Sequence, residues 1–231
     1  MNKITIQFFH DVICSFCFPM SYRMRQLQKL MPEVQIVHRS YALVKSTGDF
    51  DIMFGSRTAA KDEIMSHWEH ADHNDDLHRL NVYGMRQADF PFPTSMNGLI
   101  ACKAAYFVAG DAGYWNVFDA LQNALFVQNR NIEEKEIISD CVRKCGIDFE
   151  SWVKHYNSEE TKDAVESDFL LVKQYNIQGV PALVINGKQQ ISGAQPLSKI
   201  IQVIEGIEKD KEQPSTESAS CRLVDGKIEC E

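Results

Sequence analysis

Cys14-Ser15-Phe16-Cys17 is the stretch that decides how this chain is interpreted, because it places two thiols only two residues apart. The preceding residues, 3–9, are rich in β-branched and aromatic side chains and predict a strand. Residues 18–30 repeat apolar side chains at the spacing of one helix face and predict a helix. The thiols are therefore expected where a strand passes into a helix, with Cys14 at or next to the helix start. The unpaired amides there favour a thiolate, the form that attacks disulfides.

A second motif lies far along the chain, where Gly-Val-Pro at 179–181 opens a predicted strand. Proline is tolerated at the first residue of a strand because it removes only one ladder donor there. An Asn-Gly pair at 186–187 favours a two-residue hairpin turn into a partner strand at 189–192. The sequence thus predicts a β-hairpin that begins at the proline.

The two motifs, in this order, resemble the thioredoxin superfamily. Within it, the chain is similar to the DsbA-like proteins of the FrnE type, over residues 3–207 at the level of element order. The residues that carry the resemblance are the Cys-x-x-Cys pair after an N-terminal strand, the motif at 179–181 with the Val-Ile-Asn-Gly that follows, and Ile-Ser-Gly-Ala-Gln-Pro at 191–196.

The resemblance implies how a substrate groove is built. It places a cis Val180–Pro181 bond against the two thiols, with Pro181 shaping the groove. The Val180 backbone would offer its N–H and C=O groups to an extended substrate strand. Ser15 and Phe16, between the thiols, complete the predicted substrate contacts.

The predicted chemistry is thiol–disulfide exchange, with Cys14 as the nucleophile that forms a mixed disulfide and Cys17 as the thiol that resolves it. Cys17 is expected one turn into the helix, more buried and less ionised than Cys14. A zinc site is the alternative for such a pair, but zinc needs four ligands and the sequence has no second Cys-x-x-Cys. We therefore expect no metal and no organic cofactor.

His10 and Asp11 stand at the end of the first predicted strand, directly before the two thiols. A histidine near Cys14 would stabilise its thiolate. The carboxylate of Asp11 would either relay a proton to Cys17 or only cap the turn. Both residues are predicted modulators of the site.

The periodicity of the chain predicts its fold class. A second strand is expected at 34–43, a loop at 44–55, and helices over nearly all of 56–175. Because so long a helical run cannot belong to the sheet, we predict an α/β thioredoxin fold with a large all-helical insertion between the second and third strands. The predicted boundaries are 1–55 with 176–210 for a discontinuous thioredoxin-fold domain, 56–175 for the helical insertion domain and 211–231 for a flexible tail.

Composition narrows the function classes and the compartment. A net charge of −8 over 231 residues argues against a nucleic-acid partner, and no apolar run is long enough to span a membrane. The first residues lack the pattern of a secretory signal, so we expect a cytoplasmic protein. Thiols stay reduced in that compartment, which favours catalytic or buried roles for the seven cysteines. Cys102, Cys141 and Cys145 are predicted core residues.

The C-terminal tail carries a separate pattern centred on Asp225-Gly226, a strong signal for a two-residue hairpin turn. Pairing outward from this turn brings Cys221 opposite Cys230 at a non-hydrogen-bonded position, where disulfide geometry is within reach. The sequence therefore predicts a hairpin closed by a disulfide under oxidising conditions, and a second redox pair. An unstructured tail with incidental cysteines is the alternative.

The functional prediction is a thiol–disulfide oxidoreductase, a reductase or isomerase of protein or peptide disulfides, with glutathione as one candidate reductant. One alternative is a glutathione-dependent transferase or isomerase of the kappa-class type. Such proteins use a single serine or cysteine at the first thiol position, so the second thiol, Cys17, argues against it. The other alternative is a non-catalytic adaptor whose apolar groove binds peptides.

Overall fold

The computed structural model describes residues 4–212, 221–224 and 227–230. The chain divides into two compact units, Met1–Leu197 and Ser198–Glu231. The elements of the first unit are β1 (Thr5–His10), α1 (Cys17–Leu30), β2 (Gln35–Ser40), α2 (Thr47–Phe54), α3 (Ala60–Asn74), α4 (Val82–Gln87), α5 (Met96–Phe126), α6 (Lys135–Lys144), α7 (Phe149–Tyr156), α8 (Glu159–Gln174), β3 (Ala182–Ile185) and β4 (Gln189–Ser192). No helix in the described ranges is long and apolar enough to cross a membrane.

The four strands of this unit form one sheet in the order β2-β1-β3-β4. β1 and β2 are parallel, since α1 carries the chain back between them, whereas β3 is antiparallel to both β1 and β4. Asn186 and Gly187 both adopt positive φ, 50° and 71°, as the predicted turn between β3 and β4 requires. Helices α2 to α8 all lie between β2 and β3 in the chain, which confirms the predicted α/β fold with an all-helical insertion.

The alternation of side chains along β1 buries both faces of the sheet. Phe8 meets Phe118 of α5 edge-on, with ring centroids 6.5 Å apart. Phe9 points to the other face, where its ring lies 6.1 Å from that of Tyr175. Both phenylalanines are fully buried, and burial of each contributes about 1.5–3 kcal/mol. The strand that leads into the two thiols is therefore held from both sides.

A buried ion network joins the helical insertion to β2. The Asp168 carboxylate of α8 accepts from Lys103 Nζ of α5 at 2.5 Å and from Arg39 Nη1 at 3.2 Å. It also accepts from the backbone N–H of Ser40 at 2.8 Å. The Lys103 and Asp168 side chains are only 9% and 2% exposed, so neither charge is offset by water.

Helix α2 corrects the loop predicted for residues 44–55. The prediction was wrong because the polar residues taken as turn formers cap a helix instead. The Asp49 carboxylate accepts from the backbone N–H groups of Lys45 (2.7 Å) and Ser46 (3.0 Å), as in a capping box. Gly55, with φ of 78°, ends the helix in the left-handed conformation.

The remaining elements are α9 (Leu197–Glu212), β5 (Cys221–Val224) and β6 (Lys227–Cys230), and all their residues except Leu197 belong to the second unit. Helix α9 runs through residue 211, where the sequence predicts the start of a flexible tail. β5 and β6 pair antiparallel with Cys221 opposite Cys230, in the predicted register. The predicted linker at 213–220 and the turn at 225–226 lie outside the described residues.

Candidate active site

The two thiols lie where β1 passes into α1, Cys14 in the connecting loop and Cys17 as the first residue of α1. The Cys14 amide donates to Asp11 O at 3.3 Å, and the Cys17 amide lies 3.0 Å from Cys14 O and 3.2 Å from Cys14 Sγ. Helix α1 begins at Cys17 itself, which corrects the predictions that Cys14 lies at or next to the helix start and that Cys17 lies a turn inside the helix. Phe16 already has helical φ and ψ, so the Cys14–Cys17 segment forms a turn ahead of the helix. The first helical amide thus reaches back to the Cys14 sulfur.

Cys14 lies against the distant proline segment. Its thiol donates to the carbonyl oxygen of Val180 at 3.5 Å, across 166 positions of sequence. The Val180–Pro181 bond is cis, as the resemblance implies. Sheet pairing explains the approach, because β3 begins at Ala182, directly after the proline, and Ala182 pairs with Phe9 near the end of β1.

The two sulfurs have different environments. Cys17 is fully buried, whereas Cys14 is 5% exposed and lines a cavity. Burial, followed by the hydrogen bond and the charge interaction with Cys14, raises the pKa of the Cys17 thiol well above its ordinary value. Cys14 is therefore the more accessible of the two sulfurs, and Cys17 is held as a neutral thiol behind it.

The cavity beside Cys14 has a volume of about 260 Å³. Three of the predicted substrate contacts, Ser15, Phe16 and Val180, line it together with Cys14. Its other lining residues, mostly apolar, are Ile13, Leu43, Val44, Met53, Phe54, Ile64, His67, Trp68 and Phe92. Most of these come from the helical insertion and the segment leading into it, which therefore build much of the wall facing the reactive sulfur.

Asp11 lies behind the loop, fully buried and outside the cavity lining. One carboxylate oxygen accepts from Ser95 Oγ (2.6 Å) and the backbone N–H of Leu43 (2.7 Å). The other accepts from the backbone N–H of Ile13 at 3.2 Å. Burial raises the pKa of Asp11 to about 6, although these hydrogen bonds act in the opposite direction. Asp11 thus ties the loop to the segment after β2 and to the start of α5.

We expect the carboxyl carbon of Asp11 to titrate with a midpoint near pH 6 in a ¹³C NMR pH titration. Asp148 is a control, because backbone and side-chain hydrogen bonds from Ser151 lower its pKa. Since the folded-state pKa of Asp11 lies above the ordinary value, its protonated form favours folding. That contribution to stability is present at low pH and is lost as the pH rises through about 6. A midpoint near the ordinary value, 3.8, would contradict the assignment.

His10 is held in an aromatic cluster on the sheet face opposite Phe9. Its Nε2 lies 3.0 Å from His38 Nδ1, and its ring centroid is 4.0 Å from that of Phe118. Burial lowers the pKa of His10 well below its ordinary value and that of His38 to about 3. A neutral imidazole supplies no positive charge to a Cys14 thiolate, so the structure gives no support to that predicted role.

Two contacts of the site carry no short-range sequence signal. Ser95, which holds Asp11, lies 84 positions away from it. Gly98 of α5 packs against the loop so closely that a Cβ there would lie 2.6 Å from Cγ2 of Val12. A further residue near the site is Tyr41, directly after β2, because burial and then the charge of Asp11 raise its pKa.

In the described parts of the chain, no group of three or more His, Cys, Asp or Glu side chains is placed to hold a metal ion. Cys102 and Cys141 are buried and Cys145 is partly buried. Pro181 and Cys17 lie outside the cavity lining, as do His10 and Asp11. Cys221 and Cys230 belong to the second unit.

Comparisons with known proteins agree with this architecture. The chain is 26% identical over 130 residues to the ClpXP adapter protein SpxH of Shouchella clausii, covering 53% of this chain and 42% of that protein. It is 30% identical over 73 residues to the thiol:disulfide interchange protein DsbA of Pseudomonas aeruginosa, covering 32% and 35%. The chain thus spans less than half the length of these curated relatives.

A solved structure, the cytosolic disulfide reductase DsbM of Pseudomonas aeruginosa with GSH, superposes with a TM-score of 0.70 at 14% identity. The superposition covers 88% of this chain and 99% of that chain, and it shows the shared fold. The sequence also matches a protein-family model from residue 5 to residue 205, a range that includes both thiols and the cis-proline. This protein therefore belongs to the DSBA-like thioredoxin domain family.

Proposed function

We propose that this protein is a thiol–disulfide oxidoreductase that acts through Cys14 and Cys17 on protein or peptide disulfides. The proposal is carried by the different positions of the two sulfurs. Cys14 lines a cavity and contacts the Val180 backbone, whereas Cys17 is fully buried behind Cys14. This arrangement separates an attacking sulfur from a resolving one.

In the proposed reaction, the Cys14 thiolate attacks one sulfur of a substrate disulfide. A Cys14–substrate disulfide forms, and the other substrate sulfur leaves as a thiolate that takes up a proton. Cys17 then loses its proton and attacks the Cys14 sulfur, which releases the second substrate thiol. The substrate gains two electrons and two protons, and the protein is left with a Cys14–Cys17 disulfide that an external thiol must reduce.

The surroundings of Cys14 are proposed to position the substrate. The Val180 backbone, next to Pro181, would pair with an extended substrate segment, and Ser15 and Phe16 would contact it from the loop. We assign Asp11 the role of holding the loop, supported by its three hydrogen bonds. The alternative role, a proton relay to Cys17, would give turnover a pH dependence with a midpoint near 6.

The protein is proposed to act in the cytoplasm as a disulfide reductase or isomerase, with glutathione as a candidate reductant. The likeness to the cytosolic reductase DsbM, solved with GSH, supports this setting and this reductant. The net charge of −8 supports the absence of a nucleic-acid partner.

A non-catalytic adaptor is the second candidate function. The similarity to the ClpXP adapter protein SpxH favours it, as do the apolar walls beside Cys14, which would hold a peptide without turnover. A kappa-class glutathione transferase activity is the third, and it would need Cys14 but not Cys17.

Insulin reduction by the full chain, with glutathione or dithiothreitol as reductant, tests the three functions. Turnover that needs both thiols supports the oxidoreductase. Glutathione conjugation that survives Cys17→Ser supports the transferase. Peptide binding without turnover, unchanged by either substitution, supports the adaptor.

For the tail, we propose that Cys221 and Cys230 form a disulfide under oxidising conditions and act as a second redox pair. Their opposed positions in the β5–β6 ladder support this pairing. After mild oxidation we expect a tryptic peptide pair linked through these cysteines, found by mass spectrometry under non-reducing conditions. Cys221→Ser with Cys230→Ser should slow insulin reduction if the pair takes part in turnover. Complete alkylation of both thiols after oxidation would contradict the pairing.

A further inference from the structure

A second cavity, of about 410 Å³, lies along α1 on residues that the cavity beside Cys14 does not use. Helices α1, α5 and α6 contribute to its lining, together with residues just before α4 and α6. The cationic residues in this lining are Arg25, Arg79, Arg130 and Lys144. Asp119 is the carboxylate among the lining residues.

This charge runs against that of the whole protein. The sequence carries a net charge of −8, yet four cationic side chains line the cavity. Three of them pair with the carboxylates of Asp75, Asp119 and Asp140, so the excess positive charge is that of Lys144. Cations concentrated in a concave site attract and retain anions, because low-dielectric walls focus their field. The Asp119 carboxylate is already engaged, by Ser21 Oγ at 2.7 Å and by Arg25 Nε at 2.8 Å.

Each of the three arginines in the lining donates hydrogen bonds to a carboxylate from one edge of its guanidinium group. Arg79 donates to Asp75 through Nε and Nη2, at 2.9 and 2.7 Å. Arg25 donates to Asp119 through Nε, and Arg130 to Asp140 through Nη2 at 2.9 Å. Within the described residues, no hydrogen bond or ion pair involves Nη1 of these three arginines or the ammonium group of Lys144. Each group thus keeps donors for a ligand.

Two of the arginines are also stacked on aromatic rings. The Arg25 guanidinium lies 4.2 Å from the centre of the Trp115 ring, and that of Arg79 lies 4.0 Å from the centre of the Phe18 ring. Stacking fixes the plane of a guanidinium and lowers the entropy lost when it binds a planar or tetrahedral anion. Burial raises the pKa of the Cys141 thiol in the lining, so this thiol adds no negative charge.

We propose that this cavity binds a small anion with at least two negative charges, of the phosphate or polycarboxylate class. The volume is that of a small-molecule site. Arginine is the side chain whose paired donors best match phosphate and carboxylate oxygens. The site is independent of the proposed thiol chemistry, because the two cavities share no lining residue.

Isothermal titration calorimetry of the reduced full chain tests the proposal with two probes, sodium pyrophosphate and trisodium citrate, at constant ionic strength. We expect at least one probe to bind with a dissociation constant below about 1 mM. Binding of pyrophosphate alone assigns the phosphate class, binding of citrate alone assigns the polycarboxylate class, and binding of both assigns the shared chemistry. No heat from either probe at about 10 mM would overturn the proposal.

The double variant Arg130→Gln with Lys144→Gln is expected to weaken binding at least about tenfold, since each loses a charge-assisted donor. The matched control is Lys135→Gln with Lys154→Gln, which removes the same net charge from α6 and α7 outside the cavity lining. It should bind within about twofold of the wild type. Equal weakening by both double variants would show general charge attraction and overturn the site.

The single variant Lys144→Gln separates a loss of binding from a loss of folding, because Lys144 forms no ion pair with the described residues. It is expected to weaken binding at least about threefold with an unchanged circular dichroism spectrum. Cys14→Ser should bind the probes like the wild type, so a failure of the thiol chemistry leaves this test intact. Unchanged affinity in both Lys144→Gln and the Arg130→Gln double variant would contradict the proposal.

Discussion

Replacing Cys14 with serine is expected to lower the rate of insulin disulfide reduction by more than about 10³-fold, because a hydroxyl cannot form the mixed disulfide. Replacing Cys17 with serine should have a different effect. The buried residue no longer resolves the intermediate, so a covalent complex between Cys14 and the substrate should accumulate. Non-reducing electrophoresis after incubation with a single-cysteine peptide disulfide would show this complex, and dithiothreitol would release it.

Cys145→Ser is the matched control for these substitutions. Cys145 lies in the helical insertion, where its thiol donates to the backbone carbonyl of Cys141 at 3.2 Å, and it lines neither cavity. Its variant should reduce insulin at the wild-type rate. Wild-type turnover in Cys17→Ser, or a mixed disulfide that maps to Cys145, would refute the assigned roles.

Asp168→Asn is expected to lower the free energy of unfolding by about 3–5 kcal/mol. The substitution removes the negative charge that compensates Lys103 and Arg39, and the Lys103 side chain is only 9% exposed. An unpaired buried cation costs more than the pair itself contributes. Urea denaturation at pH 7, followed by circular dichroism, measures the loss.

Glu166→Gln, two residues away on α8, is the matched control. Glu166 pairs with Lys45 at 3.8 Å, with side chains 59% and 51% exposed, so its loss should cost less than about 1 kcal/mol. Adding Lys103→Met to Asp168→Asn should recover part of the stability, since it removes the unpaired charge. Equal losses in the two single variants would contradict the buried-network interpretation.

Sequence reasoning predicted those parts of the molecule that have local signals. The β-branched run before Cys14 marks β1, and the Asn-Gly pair marks the turn between β3 and β4, because positive φ at both turn residues demands such side chains. The resemblance supplied the contact between Cys14 and the segment at Val180, which spacing alone cannot give.

The remaining features depend on contacts between distant residues. The neutral state of His10 follows from rings such as Phe118, which reach it only in the folded chain. The walls of the cavity at Cys14 come largely from residues far from the thiols, such as Trp68 and Phe92. Helix α2 was missed for a different reason, since Ser46 and Asp49 have the composition of either a turn or a helix cap.

The hydrogen bond from Ser95 to Asp11 and the close packing of Gly98 on Val12 limit how this protein can be re-engineered. Both link the first turns of α5 to the loop that carries Cys14. A shortened chain reduced to its sheet and α1 would leave a buried carboxylate without its hydroxyl partner and expose the valine. Chimaeras between relatives should therefore take the β1–α1 loop and the amino-terminal end of α5 from the same parent protein.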